Sequence, residues 1–252
     1  MNAVDVGFWK SDKDEEFFSY LHSIKIATLF QINRDIYRYE KFKSLYKRMA
    51  KFEKLGLLTQ GCHIAFPKQK LITLSRKGFD EFVGNGDERV VELKSDSISH
   101  DVTLVDIRHR LLRAGKVIDY HTENSLQTWR ENLNAELRPY VEARSDAAIK
   151  AEFSSGKPFL AVEYEANRKF ASRIAEVVSK YYNTDEIPAV LYICKDEEII
   201  EHHLREERKN FSQYDARIYY KTLESFSHDQ TLAFKNRDGE VLRLGTKVGE
   251  RC

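Results

Sequence analysis

The stretch from Phe159 to Tyr182, FLAVEYEANRKFASRIAEVVSKYY, decides how most of this chain folds. Its opening residues alternate, with Phe159, Ala161, Glu163 and Glu165 on one face of a strand and Leu160, Val162 and Tyr164 on the other. The first face begins apolar and turns acidic only at its C-terminal end, whereas a solvent face would be polar along its length. After Ala166 and Asn167 the period changes to that of an amphipathic helix over 170–182. A buried strand ending in Glu-x-Glu, with Asp146 one hairpin upstream, is a pattern that places carboxylates around a divalent cation. The plain alternative is that acids at a strand end are only solvated.

Working outward, residues 117–123 read as a strand, 125–132 as a short helical or irregular insertion carrying Trp129, and 140–151 as a second strand. In that second strand Arg144 and Asp146 fall on one face, with Ala147 and Ile149 opposite. Gly156-Lys157-Pro158 turns the chain into the Phe159 strand. Downstream come a strand at 189–194, a charged helix at 196–209, a strand at 217–221, and a tail with Gly239, Gly245 and Gly249 that forms a hairpin and then frays. Upstream, Ser99 caps a helix over 100–114 that Gly115 stops. A meander of three strands, then a helix and a fourth strand, predicts a mixed sheet with helices packed against it.

GNGDERVVELKSDSIS, residues 84–99, loses the apolar pattern and marks a boundary. Before it, 14–32 reads as a helix, with a break at Asn33-Arg34-Asp35. Residues 41–55 form a second helix, with Leu45, Met49 and Phe52 on one face and Lys43, Ser44, Lys47, Arg48 and Lys51 elsewhere; Gly56 ends it. Between 38 and 54, Arg38, Lys41, Lys43, Lys47, Arg48, Lys51 and Lys54 stand against only Glu40 and Glu53. Two short strands then flank a basic loop holding Lys68, Gln69 and Lys70, and Ser75 starts a closing helix. A helix with one apolar and one basic face can lie in a major groove while the loop contacts phosphates. The alternatives are a solvated lysine face, or a module of this shape that binds protein.

Composition sets wider bounds. The chain has 252 residues, 42% hydrophobic and 12% aromatic, enough for real cores. Lys+Arg (41) nearly cancels Asp+Glu (40), so global charge neither demands nor excludes nucleic acid. Cys62, Cys194 and Cys252 are far apart without C-x-x-C spacing, which points to a reducing compartment and no structural zinc. No apolar leader or membrane-spanning run is present, so the expected location is cytoplasmic, with no membrane partner. His202 and His203, among glutamates on a helix, read as solvated surface. His100, on the apolar stripe beside Asp101, reads as structural. Tyr181-Tyr182 and Tyr219-Tyr220 read as core or rim packing rather than base-stacking platforms.

Three resemblances follow. YKRMAKFEKLGLLTQ (46–60) and KLITLSRKGFDEF (70–82) resemble the recognition helix, wing strands and closing helix of a winged helix-turn-helix. Asp146 on the second strand and Glu163-Tyr164-Glu165 on the third look like the PD-(D/E)xK restriction-endonuclease-like core. With SHDVTLVDIRHRL (99–111), Trp129-Arg130-Glu131 and ARSDAAI (143–149), the chain is similar to the replication-relaxation proteins of plasmids and other mobile elements.

The resemblance implies an α+β or α/β fold: a winged helix-turn-helix domain at 1–83, a linker at 84–98, and a nuclease-like domain at 99–252 with a mixed central sheet flanked by helices. It implies Mg2+ or Mn2+ on Asp146 and Glu163, with Glu165 as a further carboxylate ligand. The lysine of the motif is replaced by Glu165, and Lys169, Arg168 and Arg173 are the nearby cations that would substitute; an active site would use Asp146, Glu163, Glu165 and Lys169. Expected DNA contacts are Lys43, Ser44, Lys47, Arg48, Lys51, Lys68 and Lys70. The resulting expectation is a DNA-binding protein of a plasmid or other mobile element, with a nuclease-like domain that does not cleave. Its implied partners are double-stranded DNA, a replication or mobilisation protein, and a second copy in a homodimer. The alternatives are a Mg2+-dependent DNA endonuclease and a winged-helix transcriptional regulator.

Overall fold

The computed structural model describes residues 11–39 and 41–245. The chain divides into two compact units, Met1–Val102 and Thr103–Cys252. The expected frayed tail, Gly249 and Cys252 lie outside the described residues.

The first unit runs α1 (Asp12–Ile24), β1 (Ile26–Thr28), α2 (Leu29–Ile32), α3 (Phe42–Lys54), β2 (Leu58–Gly61), β3 (Leu71–Leu74) and α4 (Arg76–Phe82). The expected helix over 14–32 is therefore corrected. Lys25 takes φ +62 and ends α1, and Ile26, Ala27 and Thr28 pair antiparallel with Thr73, Ile72 and Leu71. Thr28 then opens α2 through a capping box: its Oγ1 accepts from Gln31 N at 3.2 Å while Gln31 Oε1 accepts from Thr28 N at 3.0 Å. The expected break at Asn33-Arg34-Asp35 is a π-helical turn, Asn33–Tyr37, that continues α2. The sheet order is β1-β3-β2.

Gly56 ends α3 as expected, at φ +73, with its N–H on Glu53 O and that of Leu57 on Phe52 O. Ser75 caps α4, its Oγ accepting from Gly78 N at 3.0 Å. Gly78 is required for another reason: a Cβ there would collide with the carbonyl oxygen of Leu57. Phe17, Phe18, Leu45, Met49 and Phe52 are fully buried, and the Phe17 and Phe52 rings stack at 5.8 Å. Each contributes roughly 1.5–3 kcal/mol by burial.

Between α4 and α5 (Ile98–Leu112) no regular element occurs. The helix begins one residue before the expected cap: Ser97, not Ser99, precedes it and its carbonyl accepts from Asp101 N. The compact units divide inside this helix, at Val102/Thr103, rather than at 98/99.

The second unit continues with β4 (Val117–Thr122), α6 (Glu123–Thr128), α7 (Arg138–Ala143), β5 (Ala147–Ala151), β6 (Phe159–Glu165), α8 (Ala171–Tyr182), β7 (Val190–Cys194), α9 (Glu197–Phe211), β8 (Ile218–Thr222), α10 (Leu223–His228), β9 (Ala233–Asn236) and β10 (Val241–Arg243). These strands form one sheet, ordered β10-β9-β8-β7-β6-β5-β4. The meander β4-β5-β6 is antiparallel, β6-β7 and β7-β8 are parallel, and β8-β9-β10 is antiparallel. The parallel pairs are joined by α8 and α9, since a parallel crossover needs a helix-length connection. One sheet face packs under Ile174 and Val178 of α8 and Ile199 of α9; the other packs under Ile107 and Leu111 of α5 and Phe226 of α10.

The expected strand over 140–151 is half wrong. Pro139 sits in the first turn of α7, and Arg144 at φ +55 closes it, so Arg144 lies outside the sheet and Asp146 just precedes β5. His202 and His203 are also corrected. Both are buried in α9, which docks on β7 and β8; the His203 ring lies 4.7 Å from that of Tyr192. Tyr181, Tyr182 and Tyr220 are core residues, as expected.

Candidate functional site

On α3 of the first unit, Leu45, Met49 and Phe52 point into the core, leaving Lys43, Ser44, Lys47 and Lys51 exposed. Lys68 and Lys70, in the loop between β2 and β3, are exposed too. Glu53, the acidic residue of α3, accepts from Gln60 Nε2 of β2 at 2.8 Å. Arg48 departs from the expected DNA-contact set. Its guanidinium turns to the fully buried Asp14, with Nε on Oδ1 at 2.7 Å and Nη2 on Oδ2. Arg48 thus joins α3 to α1, and its charge is matched inside the unit.

In the second unit the register of the sheet gathers carboxylates at one end. Thr122 pairs with Ala147, and Ala147 with Val162, so the next step along each strand brings Glu123, Asp146 and Glu163 side by side. The Glu123 N–H donates to the Asp146 carbonyl at 2.9 Å, and Asp146 Oδ2 accepts from Tyr164 N at 2.7 Å. Glu163 accepts from the Tyr181 hydroxyl of α8, and that hydroxyl also lies 2.9 Å from Ser145 Oγ. Burial and the neighbouring Asp146 push the Glu163 carboxyl well above its ordinary range; Tyr181 and Lys169 oppose this, and Glu123 adds to it. Sequence reading missed Glu123, because its place depends on strand register.

Glu165 is buried at the end of β6 and forms an ion pair with Lys169, Nζ to Oε2 2.5 Å. Of the three expected substitute cations, Lys169 alone pairs with a carboxylate of β6. Arg168 binds Glu198 at 2.9 Å and Arg173 binds Glu176 at 2.7 Å. Among the described residues no three His, Cys, Asp or Glu side chains are grouped to hold a metal by themselves. A cleft of about 500 Å³ lined by Arg208, Lys221, Lys235 and Asp238 lies at β8 and β9, and its lining includes none of Glu123, Asp146, Glu163 and Glu165. No helix among the described residues is long and apolar enough to cross a membrane.

Compared with family models, curated proteins and solved structures, the chain matches none.

Proposed function

We propose that this chain binds double-stranded DNA through its first unit, and that the second unit is a nuclease-like domain retained without cleavage. The observation that carries the reading is the outward face of α3, where Lys43, Lys47 and Lys51 stand exposed. The element order of the unit, with α2 and α3 followed by the hairpin β2-β3 and its exposed Lys68 and Lys70, supports a winged helix-turn-helix. The order α5, β4, β5, β6, α8, β7, with β6 and β7 parallel, supports a restriction-endonuclease-like core. Together with the sequence resemblance this favours a replication-relaxation protein of a plasmid or other mobile element, acting in replication or mobilisation.

The preference for binding over cleavage rests on Glu165. It stands where the resemblance calls for a lysine, and it draws Lys169 into an ion pair, so the cation is matched by the extra carboxylate. Asp146 and Glu163 fit Mg2+ or Mn2+ held in the usual way, by one or two carboxylates with water and phosphate oxygens. Such an ion would supply charge neutralisation to a bound phosphate. Asp146 is oriented for this by the Tyr164 N–H, and Glu163 by the Tyr181 hydroxyl.

The experiment is duplex binding by fluorescence anisotropy across a salt series. Lys43→Ala with Lys47→Ala should weaken binding and reduce the slope of log affinity against log salt by roughly 0.9 for each phosphate that the lysines no longer neutralise. An unchanged slope sinks the reading.

A second reading, a metal-dependent endonuclease, is favoured by the nearness of the Lys169 charge to Glu163. Nicking of supercoiled plasmid with Mg2+ or Mn2+, abolished in Asp146→Asn, would establish it.

A further inference from the structure

The lysines of α3 do not stand alone. Phe42 is 37% exposed and Tyr46 48%, and one turn further Ala50 is also exposed, so an apolar stripe at i, i+4 and i+8 runs beside Lys43 and Lys47. Phe30 of α2, 60% exposed, extends it: the Phe30 and Phe42 rings lie nearly parallel, 10° apart, with centroids at 6.4 Å. Aromatic side chains left this open cost solvation on a folded surface, and a contiguous patch of them marks a contact site. The flanking lysines select a polyanion as the occupant.

In the major groove of duplex DNA, the apolar group that a base edge offers is the C5-methyl of thymine; the other edges present donors and acceptors. We propose that Phe42, Tyr46 and Ala50 read thymine methyl groups in the major groove, with Phe30 closing the stripe, while Lys43 and Lys47 hold the phosphates. The preferred ligand is then a duplex dense in C5-methylated pyrimidines, which includes A·T-rich sequence and 5-methylcytosine. This rests on the DNA-binding reading of α3 given above and adds base selectivity to it.

The test uses the full chain and four defined duplexes of equal length: alternating dA-dT, alternating dA-dU, alternating dG-dC, and alternating dG with 5-methyl-dC. Uracil differs from thymine in the major groove by the methyl alone. Affinity should be higher for dA-dT than for dA-dU, and higher for the methylated dG-dC duplex than for the plain one, by roughly fourfold for each methyl buried. In Phe42→Ser/Tyr46→Ser, with folding checked by thermal melting, both ratios should fall towards one, since only the Ala50 contact remains.

Binding to all four duplexes with equal affinity overturns the base selectivity and leaves the DNA-binding reading standing. No binding to any duplex overturns both, and turns the aromatic stripe over to a protein partner. Ratios that persist in the folded double variant overturn the assignment to Phe42 and Tyr46.

Discussion

Arg48 holds the buried carboxylate of Asp14 with two guanidinium nitrogens, across the interface of α3 with α1. Tyr37 OH donates to Asp14 Oδ1 at 3.0 Å and Ser11 N to Oδ2 at 2.9 Å, so the acceptor capacity of the group is well used. Burial alone would raise the Asp14 carboxyl; Arg48 and Ser11 outweigh it and hold the group below its ordinary value. Asp14→Ala should cost roughly 3 kcal/mol in chemical denaturation, because it leaves Arg48 and Tyr37 without their acceptor. A double-mutant cycle with Arg48→Ala should show positive coupling. Since the native carboxyl is depressed, this contribution is complete above about pH 4 and fades as pH falls through the native value.

Two buried histidines add a separate acid sensitivity. Burial lowers His22 and His203 from 6.5 to about 4, Glu88 opposing the shift for His22 and Lys169 and His202 reinforcing it for His203. Between those values the unfolded chain binds more protons than the native one, so stability is lost as pH falls from about 6.5 towards 4. Each histidine contributes up to roughly 3 kcal/mol of this loss. His203→Phe should shrink the loss measured by denaturation at pH 7 and pH 5. It should also raise stability at pH 7, because neither His203 ring nitrogen meets a partner among the described residues while the ring packs on Tyr192 and Tyr220.

A buried ion pair ties the C-terminal hairpin to α9. Glu207 accepts from Tyr182 OH at 2.5 Å and from Tyr220 OH at 2.9 Å, and Arg237 Nη1 lies 3.5 Å from its Oε1. Arg237 also donates to the Phe211 carbonyl at 2.7 Å. Arg237→Met should destabilise by roughly 3–5 kcal/mol, since it strands a buried carboxylate. Adding Glu207→Gln should recover a large part, because the uncharged amide accepts from one tyrosine hydroxyl through its oxygen and donates to the other's oxygen through its nitrogen; a double variant no more stable than the single one would count against the pair.

These sites show where the sequence was legible. The Phe159 strand and α8 were readable because period 2 gives way to period 3.6 within one continuous stretch, and burial follows that change. Gly56 and Ser75 were readable because local backbone chemistry dictates them. Lys25 and Arg144 were not: each ends a helix at positive φ without a glycine, and apolar Ile26 and Ala27, or the Tyr140-Val141 run, continue a plausible pattern across the break. His202 and His203 read as surface because the acids around them on α9 hide that the helix docks on β7 and β8. Glu123 escaped notice for a like reason: sheet register, not spacing, places it beside Asp146.

Glu163 carries the last prediction. Its raised carboxyl means that ionisation in the native state works against folding: the penalty is absent below the ordinary carboxylate range and grows as pH rises from there through the native value. Glu163→Gln keeps the shape and can still accept from Tyr181, so in chelator at pH 7 the variant should melt higher than the wild type, with the gap narrowing towards pH 5. Mn2+ or Mg2+ should reverse the order. A cation bound by Asp146 and Glu163 stabilises the wild type by mass action, about 2.7 kcal/mol at a hundred times the dissociation constant, and stabilises Glu163→Gln far less. An equal rise in both proteins would place the cation elsewhere. No rise in either would leave Asp146 and Glu163 as neighbouring carboxyls that hold no cation, with the Glu163 carboxyl raised by burial and by Asp146.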